Sequence, residues 1–156
     1  MIKILFVCHG NICRSPMAEF ILKDMVSRRG LSRQVQIDSR ATSSEEIWHG
    51  TGNPVYPPRA RELALHGIDC RGKTARQMTK ADYDSYDFII GMDSRNIQNI
   101  LRICGVNSSD KIYRLSAFCG SEKDISDPWY TDDFATCYAD IEKGCRALLG
   151  VIRDMI

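Results

Sequence analysis

The first pattern along the chain is a short run of apolar, β-favouring residues, positions 2–7, broken only by Lys3 and ended by Cys8-His9-Gly10. Such a run, bounded by a glycine turn, predicts a buried strand. Pro16 then stands at a favourable first helical position, and Met17, Phe20, Ile21 and Met25 recur at helical spacing until Gly30. A helix is therefore predicted directly after the strand. Positions 35–39 predict a second strand, whereas 41–58 crowd glycine and proline around Asn53 and read as a loop. Ala60, Leu63 and Ala64 give one apolar face to a helix over 59–66, with Gly67 as its stop. Strands follow at 88–92 and 111–115, separated by a helix over 96–104 that Gly105 ends. Cys137, Ile141, Cys145, Leu148 and Ile152 form one stripe of a long helix over 134–152. The alternation predicts an α/β fold: one three-layer domain over 1–156, a parallel sheet with helices on both faces and a ligand site beyond the C-terminal ends of its strands. Cys8 lies at such an end.

Composition adds bounds. The chain has 156 residues, enough for one core, and no stretch approaches the ~18 apolar residues of a membrane span. Positions 1–7 lack the basic start and small-residue cleavage site of an export signal, so a cytoplasmic protein without membrane association is expected. The formal net charge is +1, with basic and acidic residues interspersed. Nucleic acid is thus not an expected partner, and any anion recognition must be local. The seven cysteines (8, 13, 70, 104, 119, 137 and 145) are odd in number and scattered, which argues for free thiols rather than a disulfide framework. The absence of a C-x₂-C pair and of metal-ligand spacing among His9, His49 and His66 leads us to expect neither metal nor cofactor.

The candidate chemistry lies between the first strand and helix, in Cys8-His9-Gly10-Asn11-Ile12-Cys13-Arg14-Ser15, with Pro16 following. Five residues between a cysteine and an arginine can curl so that backbone N–H groups point inward. The helix start adds unpaired N–H groups and the positive end of its dipole, together a cradle for an oxyanion. Gly10 permits a left-handed conformation or a close approach, and Asn11 tolerates the left-handed region while its amide ties the loop. The planar fork of Arg14 matches two phosphate oxygens. Inward N–H groups and a guanidinium favour a thiolate at Cys8, and the Ser15 hydroxyl can donate to it. Cys13 is close enough in sequence for a reversible disulfide with Cys8 that would guard the nucleophile from overoxidation.

The segment 7–16 resembles the V-C-x-G-N-I-C-R-S-P signature of the low-molecular-weight protein tyrosine phosphatases. The resemblance continues through Asp38-Ser39, Ala41-Thr42-Ser43, His66-Gly67-Ile68, Thr74-Ala75-Arg76-Gln77, Met92-Asp93 and Asp127-Pro128-Trp129-Tyr130. It implies a four-stranded parallel sheet, a phosphate-binding loop after the first strand, and metal-free hydrolysis of aryl phosphates through a cysteinyl-phosphate intermediate. Asp127 is then the general acid and, in the second step, the base. From the residues alone Asp127-Pro128 reads only as a turn. The resemblance further implies that Asn11 and Ser39 brace the loop and that His66 reaches Ser15 to orient its hydroxyl. Trp129 and Tyr130 are expected on the substrate rim, with Trp48 on the opposite side and His9 at the mouth. The 47–52 segment is longer than in relatives that run directly into Gly-Asn-Pro, and Arg40 replaces the usual small residue after the serine.

The expected partners are phosphotyrosine-containing proteins or peptides, with phosphate and oxyanion analogues held in the loop, and the chain is expected to be a monomer with at most weak self-association. Three other readings use the same loop. A phosphoarginine phosphatase differs only at the rim, where aromatic residues favour tyrosine. An arsenate reductase needs a close resolving pair that Cys70 and Cys104 do not supply by spacing. A noncatalytic phosphopeptide-binding module would not need Cys8, Arg14 and Asp127 together.

Overall fold

The strand β1 (Ile2–Cys8) is central, and its alternating side chains divide the core in two. Ile4, Phe6 and Cys8 face one hydrophobic cluster, Leu5 and Val7 the other. The computed structural model describes residues 1–105 and 110–156. In it β1 pairs in parallel with β2 (Val35–Ala41) on one side and with β5 (Phe88–Gly91) on the other, and β5 pairs in parallel with β6 (Ile112–Arg114). The sheet order is β2-β1-β5-β6. Register places Cys8 beside Ala41, so β1 and β2 end together beneath the loop that follows Cys8.

The helix α1 (Arg14–Arg28) packs Met17, Ile21, Leu22 and Val26 onto the first face, where α2 (Pro57–Leu65) adds Leu63. The second face is covered by α4 (Ser94–Cys104) through Ile100 and Cys104. The long α6 (Phe134–Met155) lies against α1, with Cys137, Ile141, Cys145, Leu148 and Ile152 buried as its stripe predicts. The expected three-layer α/β architecture with four parallel strands is thus observed. No helix among the described residues is long and apolar enough to cross a membrane.

Four elements depart from the sequence expectation. The 41–58 segment read as loop contains a two-residue hairpin, β3 (Ile47–Trp48) with β4 (Thr51–Gly52). Its turn residues His49 and Gly50 both have positive φ, the geometry a tight hairpin requires. A short helix α3 (Lys80–Ser85) buries none of its residues and so carries no apolar periodicity. It is nucleated by a capping box from Thr79 and Asp82. A 3₁₀ turn follows β6 at Leu115–Cys119, and Pro128–Thr131 forms a single helical turn, α5.

Leu115 fixes the approach of that 3₁₀ turn to α6. A Cβ added at Gly144 would stand 2.5 Å from Leu115 Cγ and 3.0 Å from Cδ1. Gly144→Ala gains about 0.5–1 kcal/mol of helix propensity but overpacks a fully buried contact, an effect of roughly 1–3 kcal/mol. The clash is expected to win, lowering the urea midpoint by the equivalent of about 1 kcal/mol; a raised midpoint would show that Leu115 yields freely.

Candidate active site

The loop joining β1 to α1 owes its shape to one residue. Asn11 is buried and left-handed, with φ of 58°. Its Nδ2 donates to Ser15 Oγ and to Ser39 Oγ, each at 2.9 Å, and its Oδ1 accepts from Arg76 N at 3.0 Å. Asparagine suits both demands: its short amide tolerates the conformation and here satisfies three partners from three segments. The left-handed position expected at Gly10 or Asn11 therefore falls on Asn11. Gly10 serves close approach, since a Cβ there would lie 3.2 Å from Glu46 Cγ. Ser39 in turn donates to Glu19 Oε1 at 2.5 Å, and Glu19 is held by Lys73 at 3.1 Å and Lys23 at 2.6 Å. This buried brace on α1 is not visible in the linear sequence.

Cys8 Sγ lies at the base of the loop, 97% buried, in contact with Ser15 Oγ at 3.0 Å and accepting from Ser15 N at 3.4 Å. The helix start has no capping side chain. Ser15 N, in its first turn, is directed at the Cys8 sulfur, so the positive end of the helix dipole lies against the loop. Arg14 returns over it, and its Nη1 donates to Asp93 Oδ2 at 2.8 Å and to Ile125 O at 2.9 Å. Asp93 does two things at once, because its Oδ1 caps α4 through Asn96 N at 2.7 Å. The guanidinium is thus fixed in plane by a helix cap 79 residues away. The opposite nitrogen, Nη2, lies 3.7 Å from Asp127 Oδ2. Asp127 Oδ1 accepts from Trp129 N at 3.0 Å, so α5 begins on the residue that sequence resemblance marks as the acid.

These groups bound a cavity of about 230 Å³ lined by Cys8, His9, Gly10, Ile12, Cys13, Arg14, Asp127, Trp129 and Tyr130. Glu45 and Glu46 complete the wall. Trp129 packs on Tyr56 with ring centroids 5.0 Å apart, and Tyr130 is exposed. His9 reaches Glu45 at 2.9 Å on the outer surface. Trp48 stands exposed at the hairpin and is not part of the cavity lining; Glu45 and Glu46 hold that side instead. Glu46 is pinned there by Asn53 Nδ2 at 2.7 Å.

His66 is a correction. Rather than reaching Ser15, it caps α2, stacks on Tyr138 with centroids 3.7 Å apart, and lies 3.6 Å from Glu62. The Ser15 hydroxyl is oriented by Asn11, Cys8 and Arg40 O. Arg40, the unusual residue after Ser39, folds back to donate to Ser39 O at 2.9 Å and approaches Tyr86 and Asp82. All seven cysteines are free. Burial pushes the Cys13 thiol up to about 12, against the opposing pull of Arg59. A disulfide with Cys8 would therefore require Cys13 to ionise in surroundings that hold it as a thiol. Cys70 and Cys104 belong to clusters on opposite faces of the sheet, which separates the only mid-chain candidates for a reductase pair.

Comparison with known proteins gives a concordant picture. The model of the family described as low molecular weight phosphotyrosine protein phosphatase matches residues 3–155. The chain is 38% identical over 155 residues to the low molecular weight protein-tyrosine-phosphatase YfkJ of Bacillus subtilis, covering 98% of this chain and 97% of that protein. The crystal structure of YfkJ superposes with a TM-score of 0.93 at 37% identity, covering 99% of this chain and 96% of that one. A drosophila arginine phosphatase superposes with a TM-score of 0.86 at 29% identity, covering 97% of this chain and 98% of that one.

Proposed function

Because the chain belongs to the low molecular weight phosphotyrosine protein phosphatase family, we propose that it hydrolyses phosphotyrosine in proteins or peptides by a two-step cysteine mechanism without a metal. The observation that carries this reading is the convergence of Cys8, Arg14 and Asp127 on one small cavity. The phosphate dianion is received by the loop N–H groups and the Arg14 fork. Cys8 sulfur then attacks phosphorus; an S–P bond forms and the P–O bond to the phenol breaks. Asp127 gives its proton to the departing oxygen. For this its Oδ2 turns from Arg14, whose fork the substrate oxygens now occupy. In the second step a water oxygen attacks phosphorus, Asp127 carboxylate takes the water proton, and the S–P electrons return to Cys8 as thiolate. Ser15 Oγ, 3.0 Å from the sulfur, stabilises that leaving group. The seven free thiols support a reducing compartment, in keeping with the cytoplasm.

The apolar and aromatic walls at Ile12, Trp129 and Tyr130 suit a phenyl ring. Glu45 and Glu46 favour a second reading, phosphoarginine, since carboxylates at the wall attract a guanidinium. Competition between a phosphotyrosine and a phosphoarginine peptide in EDTA-containing buffer separates them. We expect kcat/KM to favour phosphotyrosine by roughly tenfold or more. The reverse preference would establish the arginine reading, and binding of both peptides with phosphate released from neither would defeat both.

A further inference from the structure

Behind the wall of the cavity lies a charge that the two-step chemistry leaves unused. Arg59 is fully buried. Its Nη1 donates to Met17 Sδ at 3.0 Å, and its Nη2 to Cys13 Sγ at 3.0 Å and Cys137 Sγ at 3.4 Å. Among the described residues the Nε has no hydrogen-bond partner, and the guanidinium carbon lies 5.0 Å from the Phe134 ring centroid. Sulfur is a weak acceptor, and a guanidinium does not shed its proton in a protein. Among the described residues no carboxylate lies within ion-pairing distance of it. A cation so poorly neutralised is unfavourable in the interior unless something else compensates it, and its field is little screened by solvent or salt. Cys13, which receives its hydrogen bond, lines the cavity, and Tyr56 N at the start of α2 donates to Ile12 O of the loop at 2.8 Å. The helix carrying Arg59 is therefore tied to the phosphate loop, and the charge sits one side chain behind it.

The cavity itself shows what such a charge compensates. Arg14, the guanidinium in its lining, is shared between Asp93 at 2.8 Å and Asp127 at 3.7 Å. The reacting state adds a thiolate and a phosphate dianion, so the assembly is short of positive charge. We infer that Arg59 is a second, inner positive charge of the phosphate site, a positioning residue that stabilises the Cys8 thiolate and the bound phosphoryl group through space, without touching substrate. This rests on the hydrolase reading above and extends it to a residue outside the cavity.

The test neutralises the charge in two ways and leaves it in place in two others. Arg59→Met removes it, and Cys137→Asp pairs it with a carboxylate from α6, in place of the sulfur that accepts from Nη2 at 3.4 Å. Cys137→Asn has nearly the shape of Cys137→Asp without its charge, and Arg59→Lys retains the cation. With p-nitrophenyl phosphate, Arg59→Met and Cys137→Asp are expected to lower kcat/KM about tenfold or more and to weaken inhibition by inorganic phosphate by a similar factor. They should also slow alkylation of Cys8 by iodoacetate in mildly acidic buffer, with the rate recovered at higher pH. Cys137→Asn should stay within about twofold of the parent, and Arg59→Lys should restore most of the activity lost in Arg59→Met. Equal losses in Cys137→Asp and Cys137→Asn would make the site merely structural and overturn the inference, as would parental alkylation and phosphate inhibition in Cys137→Asp. If Arg59→Met does not fold, the Cys137 pair decides alone. A parent protein that fails to turn over p-nitrophenyl phosphate would instead overturn the hydrolase reading.

Discussion

Cys8→Ser is expected to remove turnover of phosphotyrosine peptides by about four orders of magnitude or more while leaving a folded protein that still binds inorganic phosphate. The size follows from the chemistry. A serine hydroxyl remains protonated where a thiol yields its anion, and the side chain in contact with it, 3.0 Å away, is Ser15, which is no base, while His9 is turned to Glu45. Persistence of binding follows from how the loop is built. Asn11 holds its conformation through Ser15, Ser39 and Arg76, and Arg14 is fixed by Asp93 and Ile125, so none of these bonds passes through the sulfur. Release of inorganic phosphate from the peptide and a phosphate-dependent rise in melting temperature are the two readouts. Residual activity above about one per cent of the parent would deny Cys8 the nucleophile's role. Loss of phosphate-dependent stabilisation would mean that the cradle depends on the sulfur itself.

What could be read from the chain before its fold was known follows how far the chemistry is compressed. The loop occupies one contiguous segment, positions 8–15, between a strand and a helix whose apolar spacing is unambiguous, so Cys8, Arg14 and the turn that brings them together are legible as one unit. Asp127 was legible only through family resemblance, because nothing local distinguishes an aspartate before proline from a turn. The partners of Arg14 and Ser39 were not legible. Asp93 is 79 residues from Arg14 and resembles an ordinary helix cap, and Glu19 looks like one more polar position on α1 although it is 97% buried. Arg59 is hidden for the same reason as Glu19: it occupies a polar position in the pattern, yet α2 turns it inward onto sulfur. His66 was misplaced because its neighbours come from α6, whose Tyr138 captures the ring by stacking. Two missed elements did leave signals. Thr79 and Asp82 form a capping box with the expected spacing, and His49-Gly50 is a two-residue turn that follows the β-prone pair Ile47-Trp48.

Asp127→Asn is expected to separate the two jobs of that carboxylate. Asparagine caps a helical turn as well as aspartate does, so the bond from Trp129 N and the start of α5 should survive. Arg14 keeps its shorter tie to Asp93 at 2.8 Å, and the lost contact to Asp127 is the longer one at 3.7 Å. The amide can neither give a proton to a leaving oxygen nor take one from water. For phenyl phosphate, whose phenolate is a poor leaving group, the phosphorylation step should slow by about 10²–10⁴-fold. For p-nitrophenyl phosphate, whose leaving group needs no proton, that step should slow by about tenfold or less, and the second step becomes limiting. The variant should then release a burst of p-nitrophenol equal to the enzyme present and accumulate phosphocysteine, detectable as an added phosphoryl mass on the peptide that carries Cys8. Pre-steady-state rates for the two substrates make the comparison. If both phosphorylation rates fall by the same factor, Asp127 is not the acid, and its place 3.7 Å from Arg14 serves charge balance alone.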